Sequence, residues 1–387
     1  MCQIETKKAT GGKGIKIDTC QKQGNAFRAM MYKNIVVAIV FGVFLCGCTP
    51  NHMEEVKHEI LFLGDASFGE NYQEKLSTNI LEKNGYEYSL ENFEKKLTTA
   101  DLVIANLETP LTNKRESELT KEKSYVHYSD PQKATDAFSA HNMTAFSLAN
   151  NHTLDRGEEG LYDTIKALKE KGMYSFGAGM DEEESNKYFI HKFDTDFTLA
   201  VISAFEYRNI YDKKYQFYAD GKKPGVNRLD VQEIKTQIEQ MKKDHVNVFV
   251  IVFPHWGKNY APATPLQKKY ARQIIDSGAD IIMGHGAHIM QETEKYNGKW
   301  IIYSLGNFMF NSPGRYQKED VEPFSLIADL GISKNEKKLR LYPIFTDNSI
   351  TDYQSRFVTK VEFDRAAKKL QGKKGKDDFG YFLEIEL

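Results

Sequence analysis

The chain has 387 residues, 41% hydrophobic and 27% charged, a balance that suits a folded core and excludes wholesale disorder. Lysine plus arginine total 52 against 54 acids, a net charge of −2, which argues against a dedicated nucleic-acid binder. A mean hydropathy of −0.54 excludes a polytopic membrane protein.

The first informative segment is Met30-Met31-Tyr32-Lys33, a short start with one positive charge, followed by the apolar run Ile35 to Leu45. That run is too short for a transmembrane helix of about 20 residues. It ends in Leu45-Cys46-Gly47-Cys48. A charged start, a short apolar stretch and a small residue before the cut read as a secretory signal. The Leu-x-Gly-Cys ending resembles the bacterial lipobox, which implies a lipid on Cys48. The expected organisation is a leader and signal over 1–47, a tether over 48–57 and one domain over 58–387. The expected location is the outer face of a bacterial cell membrane, lipid-anchored. All four cysteines, Cys2, Cys20, Cys46 and Cys48, precede residue 49, so no disulfide framework or cysteine metal site is expected in the body.

From residue 58 onward, short apolar runs alternate with amphipathic stretches, which predicts α/β architecture. Six runs have the length of buried strands: Ile60 to Leu63, Leu102 to Ala105, Ala145 to Leu148, Val248 to Phe253, Ile281 to Met283 and Trp300 to Leu305. Helices are predicted over Glu158 to Lys171, Asp230 to Lys243 and Pro265 to Ser277, the last opened by Pro and closed by Gly278. Tyr174 to Phe176 reads as an edge strand, and Gly177-Ala178-Gly179 after it as a tight turn. Beyond residue 320, Phe324 to Leu330, Leu339 to Phe345 and Tyr381 to Leu387 read as strands, with a hairpin turn near 334–338. This gives a β-rich C-terminal part. The basic stretch Lys368 to Lys376 reads as a solvated loop.

In open α/β sheets, ligands gather at the carboxyl ends of strands. The six runs deliver Asp65, Glu108, Asn151 and His152, His255, His285 and His288, and Asn307 to such ends. Carboxylate, amide oxygen and imidazole without thiolate suit a divalent ion such as Mn, Mg, Fe or Zn. A carboxylate at a strand end is often only a cap or turn former. His127, His141, His191 and His245 sit in polar or helical surroundings and receive no role.

Taken together, Leu63-Gly64-Asp65, Asp101 to Thr112, Ser147 to Gly157, His255-Trp256-Gly257, Gly284-His285-Gly286-Ala287-His288 and Tyr303 to Phe308 resemble the CapA family of bacterial capsule-synthesis proteins. The resemblance spans most of the body. It implies a calcineurin-like metallophosphatase fold, a two-sheet sandwich flanked by helices. It further implies metal ligation by Asp65, Glu108 (in the bridging position), Asn151, His255, His285 and His288, and a contact from His152 to the substrate or leaving group. Asp155 would orient His152, or else cap the following helix. Two departures stand out: Ser67 replaces a usual histidine, and Gly286 and Ala287 replace His and Pro.

The implied role is in synthesis, transport or anchoring of a capsular polymer, poly-γ-glutamate by analogy, with the polymer or its export machinery as partner and a hydrolase-like metal site. Two other readings stay open. One is a non-catalytic accessory protein on the same fold. The other is an extracytoplasmic phosphoesterase unconnected to capsule.

Overall fold

Apolar runs of this kind form strands when both faces are buried, and here the two faces of each run enter different cores. In the computed structural model, which describes residues 58–75, 79–193, 197–333 and 336–387, Ile60 and Phe62 of strand His58–Ser67 face one cluster while Leu61 and Leu63 face another. The leader, Cys48 and the tether lie outside the described residues.

Among the described residues, ten strands form one sheet and six another. In the larger sheet, His58–Ser67 runs parallel to Leu102–Leu107, which runs parallel to Ala145–Ser147 and then Tyr174–Phe176. On its other side it pairs antiparallel with Phe324–Ile332, followed by Lys337–Phe345 and Tyr381–Glu386. The smaller sheet is ordered Thr293–Tyr296, Lys299–Ile302, Ile281–Met283, Val248–His255, Thr198–Phe205, Phe189–Lys192. One core lies between the sheets and joins Phe62 and Ile104 to Ile251 and Met283. A second covers the larger sheet with helices Pro131–Ala140 and Gly157–Glu170. A third covers the smaller sheet with helices Val231–Asp244 and Pro265–Asp276. Each fully buried aliphatic or aromatic side chain stabilises such layers by about 1.5–3 kcal/mol. The result is the expected two-sheet sandwich flanked by helices.

The expected helices and strands appear within a few residues of their sequence limits. Pro265–Asp276 opens with a capping box, Thr264 accepting from Gln267 N–H, and with Pro at its first turn. The hairpin expected near 334–338 joins strands whose last pair is Ile332 and Lys337. Two differences are informative. Thr198–Phe205, buried along its whole length, was not among the expected strands. Its apolar run has the same signature as the others, and the buried carboxylate Glu206 follows it directly, so the sequence carried the same signal here. The basic stretch is not wholly loop: Lys373–Lys376 pairs with Tyr381–Glu386 as an edge strand. Lysines suit such an edge because they discourage pairing with another chain.

Candidate metal centre

Local backbone geometry aims the first carboxylate. The ladder between His58–Ser67 and Leu102–Leu107 shifts register between Leu63 and Asp65. Such a bulge re-aims the next side chain. Gly64 permits it, because a Cβ there would lie 1.8 Å from the Gly306 carbonyl oxygen. Asp65 N–H donates to that oxygen at 2.9 Å. Its carboxylate then receives Asn106 Nδ2 at 2.9 Å and Gly286 N–H at 3.1 Å.

The smaller sheet supplies the imidazoles. Strand Val248–His255 ends at His255, and His285 follows the adjacent strand Ile281–Met283, bridged to it in parallel. Their Nδ1 atoms lie 3.1 Å apart. His288 follows in a left-handed conformation, φ 61°, which costs a non-glycine residue energy and clusters at functional sites. Its Nδ1–H donates to Asn307 Oδ1 at 2.9 Å, leaving Nε2 with the lone pair. Gly286 has φ 100°, and a Cβ there would lie 2.9 Å from the His255 ring. The departure at 286 therefore follows from close packing on a ligand-type histidine.

These residues converge. Asp65, His255 and His285 offer ligand atoms that all lie within 4.8 Å of one another, and so do Asp65, Glu108 and His288. All five are buried. Asp65 is common to both sets, and Glu108, to which the resemblance gives the bridging position, belongs to the second. Glu108 Oε1 lies 3.9 Å from His255 Nε2 and 3.7 Å from His152 Nε2.

The donor set fits a cation on its own terms. Both Glu108 carboxylate oxygens and His285 Nε2 are buried with no hydrogen-bond partner. An unpaired buried carboxylate is costly unless it is neutralised or coordinated. Burial, and the Asp65 charge beside it, push the Glu108 carboxyl well above the usual range. Burial pulls His255 well below its usual range, with the nearby His285 and Arg208 adding to the effect, and burial lowers His288 as well. Both imidazoles are thus neutral near pH 7, the form that ligates a metal. Mn, Fe, Zn or Mg each suits the mixed oxygen and nitrogen set.

A second network adjoins the first. His152 Nδ1–H donates to Asp155 Oδ2 at 2.6 Å, so Asp155 orients His152. It does not cap the next helix, whose N-cap is Arg156. Asp155 Oδ2 also receives His127 N–H at 2.6 Å, and its Oδ1 pairs with Lys123 Nζ. Burial raises Asp155 and lowers Lys123, and their mutual contact opposes both shifts. Burial and the Lys123 charge hold His152 well below its ordinary range.

Asn151 lies on the wall of the adjoining cavity, and its backbone carbonyl receives Lys123 Nζ. The buried amide is that of Asn150, which donates to Asn106 Oδ1 and to the Leu107 carbonyl. His127, given no role from sequence, lines the same cavity, with its ring centroid 4.0 Å from that of His152. Asn106 had a readable signal, an amide inside an apolar run. Lys123 and His127 had none, since both sit in a polar loop. Trp256 is core, and Tyr260 lines the cavity.

Residues 59–312 match the family model described as "Bacterial capsule synthesis protein PGA_cap". The chain belongs to this family of bacterial capsule synthesis proteins. It is 31% identical over 304 residues to the PGA biosynthesis protein CapA of Bacillus subtilis strain 168, covering 77% of this chain and 76% of that one. It is 30% identical over 266 residues to the capsule biosynthesis protein CapA of Bacillus anthracis, covering 67% and 61%. A probable polyglutamine synthesis accessory protein of Mycobacterium tuberculosis is 30% identical over 225 residues, covering 56% and 57%. The chain therefore spans about three quarters of the first relative and about three fifths of the next two. Among solved structures, the calcineurin-like phosphoesterase YfkN of B. subtilis superposes with a TM-score of 0.43 at 15% identity, over 72% of this chain and 86% of that one.

Proposed function

We propose that this chain is a surface-anchored member of the family that acts in synthesis, export or anchoring of a capsular polyglutamate through a metal-dependent, hydrolase-like site. The observation that carries the reading is coincidence of place. Every member of the buried cluster, Asp65 to His288, lies within the residues that match the capsule-synthesis family, 59–312. Cys48, after the apolar run, would carry the lipid that holds the chain at the membrane.

Asp65, Glu108, His255, His285 and His288 would hold the metal. A bound divalent ion would supply Lewis acidity toward an oxygen of the substrate. The chain's own residues do the rest. His152 is fixed by Asp155 through Nδ1, so its Nε2 is the atom placed to give or take a proton at the bond that breaks. Lys123 Nζ pairs with the buried Asp155 carboxylate and opposes the upward shift that burial gives it. Asn106 and the Gly286 N–H hold the Asp65 carboxylate in place.

One observation favours a second reading, a non-catalytic staple on the same fold. Gly286 stands where a further histidine is usual in the resemblance, and its packing leaves no room for a side chain. Complementation separates the two. In a capsule-forming host lacking its own copy, the wild-type chain restores surface polyglutamate and a His152→Ala variant does not, although it retains metal. Restoration by His152→Ala would favour the staple. No restoration by the wild type would sink the capsule role. Cys48→Ala should move the chain from the membrane to the soluble fraction, and continued retention would mean another anchor.

A further inference from the structure

The cavity beside the cluster encloses about 560 Å³ and contains two arginines with loosely held counter-ions. Four arginines elsewhere in this domain each grip a carboxylate closely: 2.9 Å for Arg272 to Glu294 and Arg340 to Glu384, 2.8 Å for Arg356 to Glu362 and Arg365 to Glu322. At the cavity the separations are 3.6 Å, for Arg208 to Glu206 and for Arg315 to Glu319. That is beyond hydrogen-bond reach. Arg208 also donates to the Gly257 carbonyl at 2.7 Å. A guanidinium has five N–H donors, so each retains capacity for a further acceptor. Their side chains are 27% and 33% exposed, partly desolvated, where a charge-assisted bond is stronger than in open water.

Aromatic rings set each arginine beside the cluster. Arg208 lies over Phe205 at 5.3 Å, and the Phe205 ring is 5.5 Å from that of His255. Arg315 lies over Tyr260 at 4.9 Å, and the Tyr260 ring is 5.5 Å from that of His288. One ring therefore separates each guanidinium from a ligand-type histidine. The arginines come from different elements, Arg208 after strand Thr198–Phe205 and Arg315 after strand Asn307–Phe310. Lys123, the other cation among the described lining residues, is neutralised by Asp155.

We propose that Arg208 and Arg315 form a two-armed carboxylate clamp that holds an acidic polyamide chain beside the cluster, an inference that rests on the capsular-polymer reading above. Planar guanidinium forks match carboxylates in pairs. A polyamide with a carboxylate on every residue can satisfy both arms and leave an amide between them. A neighbouring depression of about 990 Å³ shares Glu122 and Tyr215 with the cavity, so a longer chain has a path onward. There Lys114 pairs with Glu159 at 2.9 Å and Lys214 with Glu122 at 3.4 Å, and the acids Glu116, Glu118 and Glu158 line the same depression. The grip is therefore confined to the two arginines.

The test measures binding of a short, labelled γ-glutamate oligomer to the full chain in detergent, with metal content and melting temperature followed in the same samples. The wild type binds the acidic oligomer and ignores the same oligomer with its carboxylates amidated. Arg208→Ala and Arg315→Ala each weaken binding about tenfold or more, with metal content and melting temperature unchanged. Arg208→Lys and Arg315→Lys retain part of the affinity, because charge remains but the fork is lost. Wild-type affinity in both Ala variants overturns the clamp. So does equal binding of the amidated oligomer, or preference for a polyphosphate probe. A chain that carries metal but ignores the acidic oligomer overturns the clamp and leaves the metal reading standing. A metal-free chain that still binds through both arginines does the reverse.

Discussion

Two sets of buried charges sit on the larger sheet, and they are built in opposite ways. On its helix-covered face, Lys96 meets Asp329 at 2.7 Å and Glu59 at 3.7 Å, with Phe379 and Tyr342 packed about the ammonium. Asp329 lies opposite Leu61 in the strand pair. At the carboxyl end of the strand that holds Leu61, Asp65 and Glu108 share a buried space with histidines that burial keeps neutral. The first charge is matched inside the protein. The second is not, and both Glu108 oxygens lack a donor. A buried charge with its own counter-charge serves the fold, whereas one without it calls for a cation from outside.

The largest expected effect breaks the matched pair. Lys96→Met strands Asp329 and should cost about 3–5 kcal/mol in urea unfolding, while Lys96→Met with Asp329→Leu should recover most of that loss. A small cost for the single variant would mean the pair is not integrated into the core. Next, Gly286→Ala forces a Cβ toward the His255 ring at a left-handed φ. It should cost about 1–3 kcal/mol and weaken metal binding, measured by melting temperature with and without added Mn. Unaltered metal response would detach Gly286 from the centre.

The unmatched set should behave with the opposite sign. Glu108→Gln removes a buried repulsion, so the metal-free protein should gain about 1 kcal/mol while its stabilisation by metal disappears. A loss of stability without metal would show that Glu108 is already compensated.

The smallest effect calibrates a partly exposed pair. Arg356 holds Glu362 with two bonds of 2.9 and 2.8 Å, which lower the Glu362 carboxyl from 4.5 to about 2. A depressed acid contributes stability that is present above its unfolded pKa and lost as pH falls through the folded one. Glu362→Gln should therefore cost about 1 kcal/mol at neutral pH. The gap from wild type should shrink as pH falls from 4.5 toward about 2. A pH-independent gap would mean that the carboxylate charge is not what carries the pair, since a glutamine can still close the capping box of Lys360–Ala366.

Much of this contrast was legible in sequence. Strands buried on both faces read as continuous apolar runs, and ligand-type residues at their ends stood out against them. Asp65, Glu108, His255, His285 and His288 were found in this way and converge in the fold. Thr198–Phe205 carried the same signal, an apolar run with the carboxylate Glu206 after it, but Ser203 interrupts the run and Thr198 opens it, which weakens the apolar pattern. Lys96 and Asp329 were invisible because each looks like an ordinary surface charge until a helix and a strand are docked. Lys123, His127, Arg208 and Arg315 come from segments between elements, where periodicity carries no information about direction. Asn150 and Asn151 were separable only by burial, since the amide that enters the network belongs to the first.

The most direct test of the unmatched centre is elemental analysis of the full chain, purified without chelators or a metal-binding tag, before and after adding Mn, Fe or Zn. The account predicts stoichiometric metal, lost in Asp65→Asn because Asp65 belongs to both ligand sets. Near-zero metal that stays near zero after addition, with an unmoved melting temperature, would contradict it.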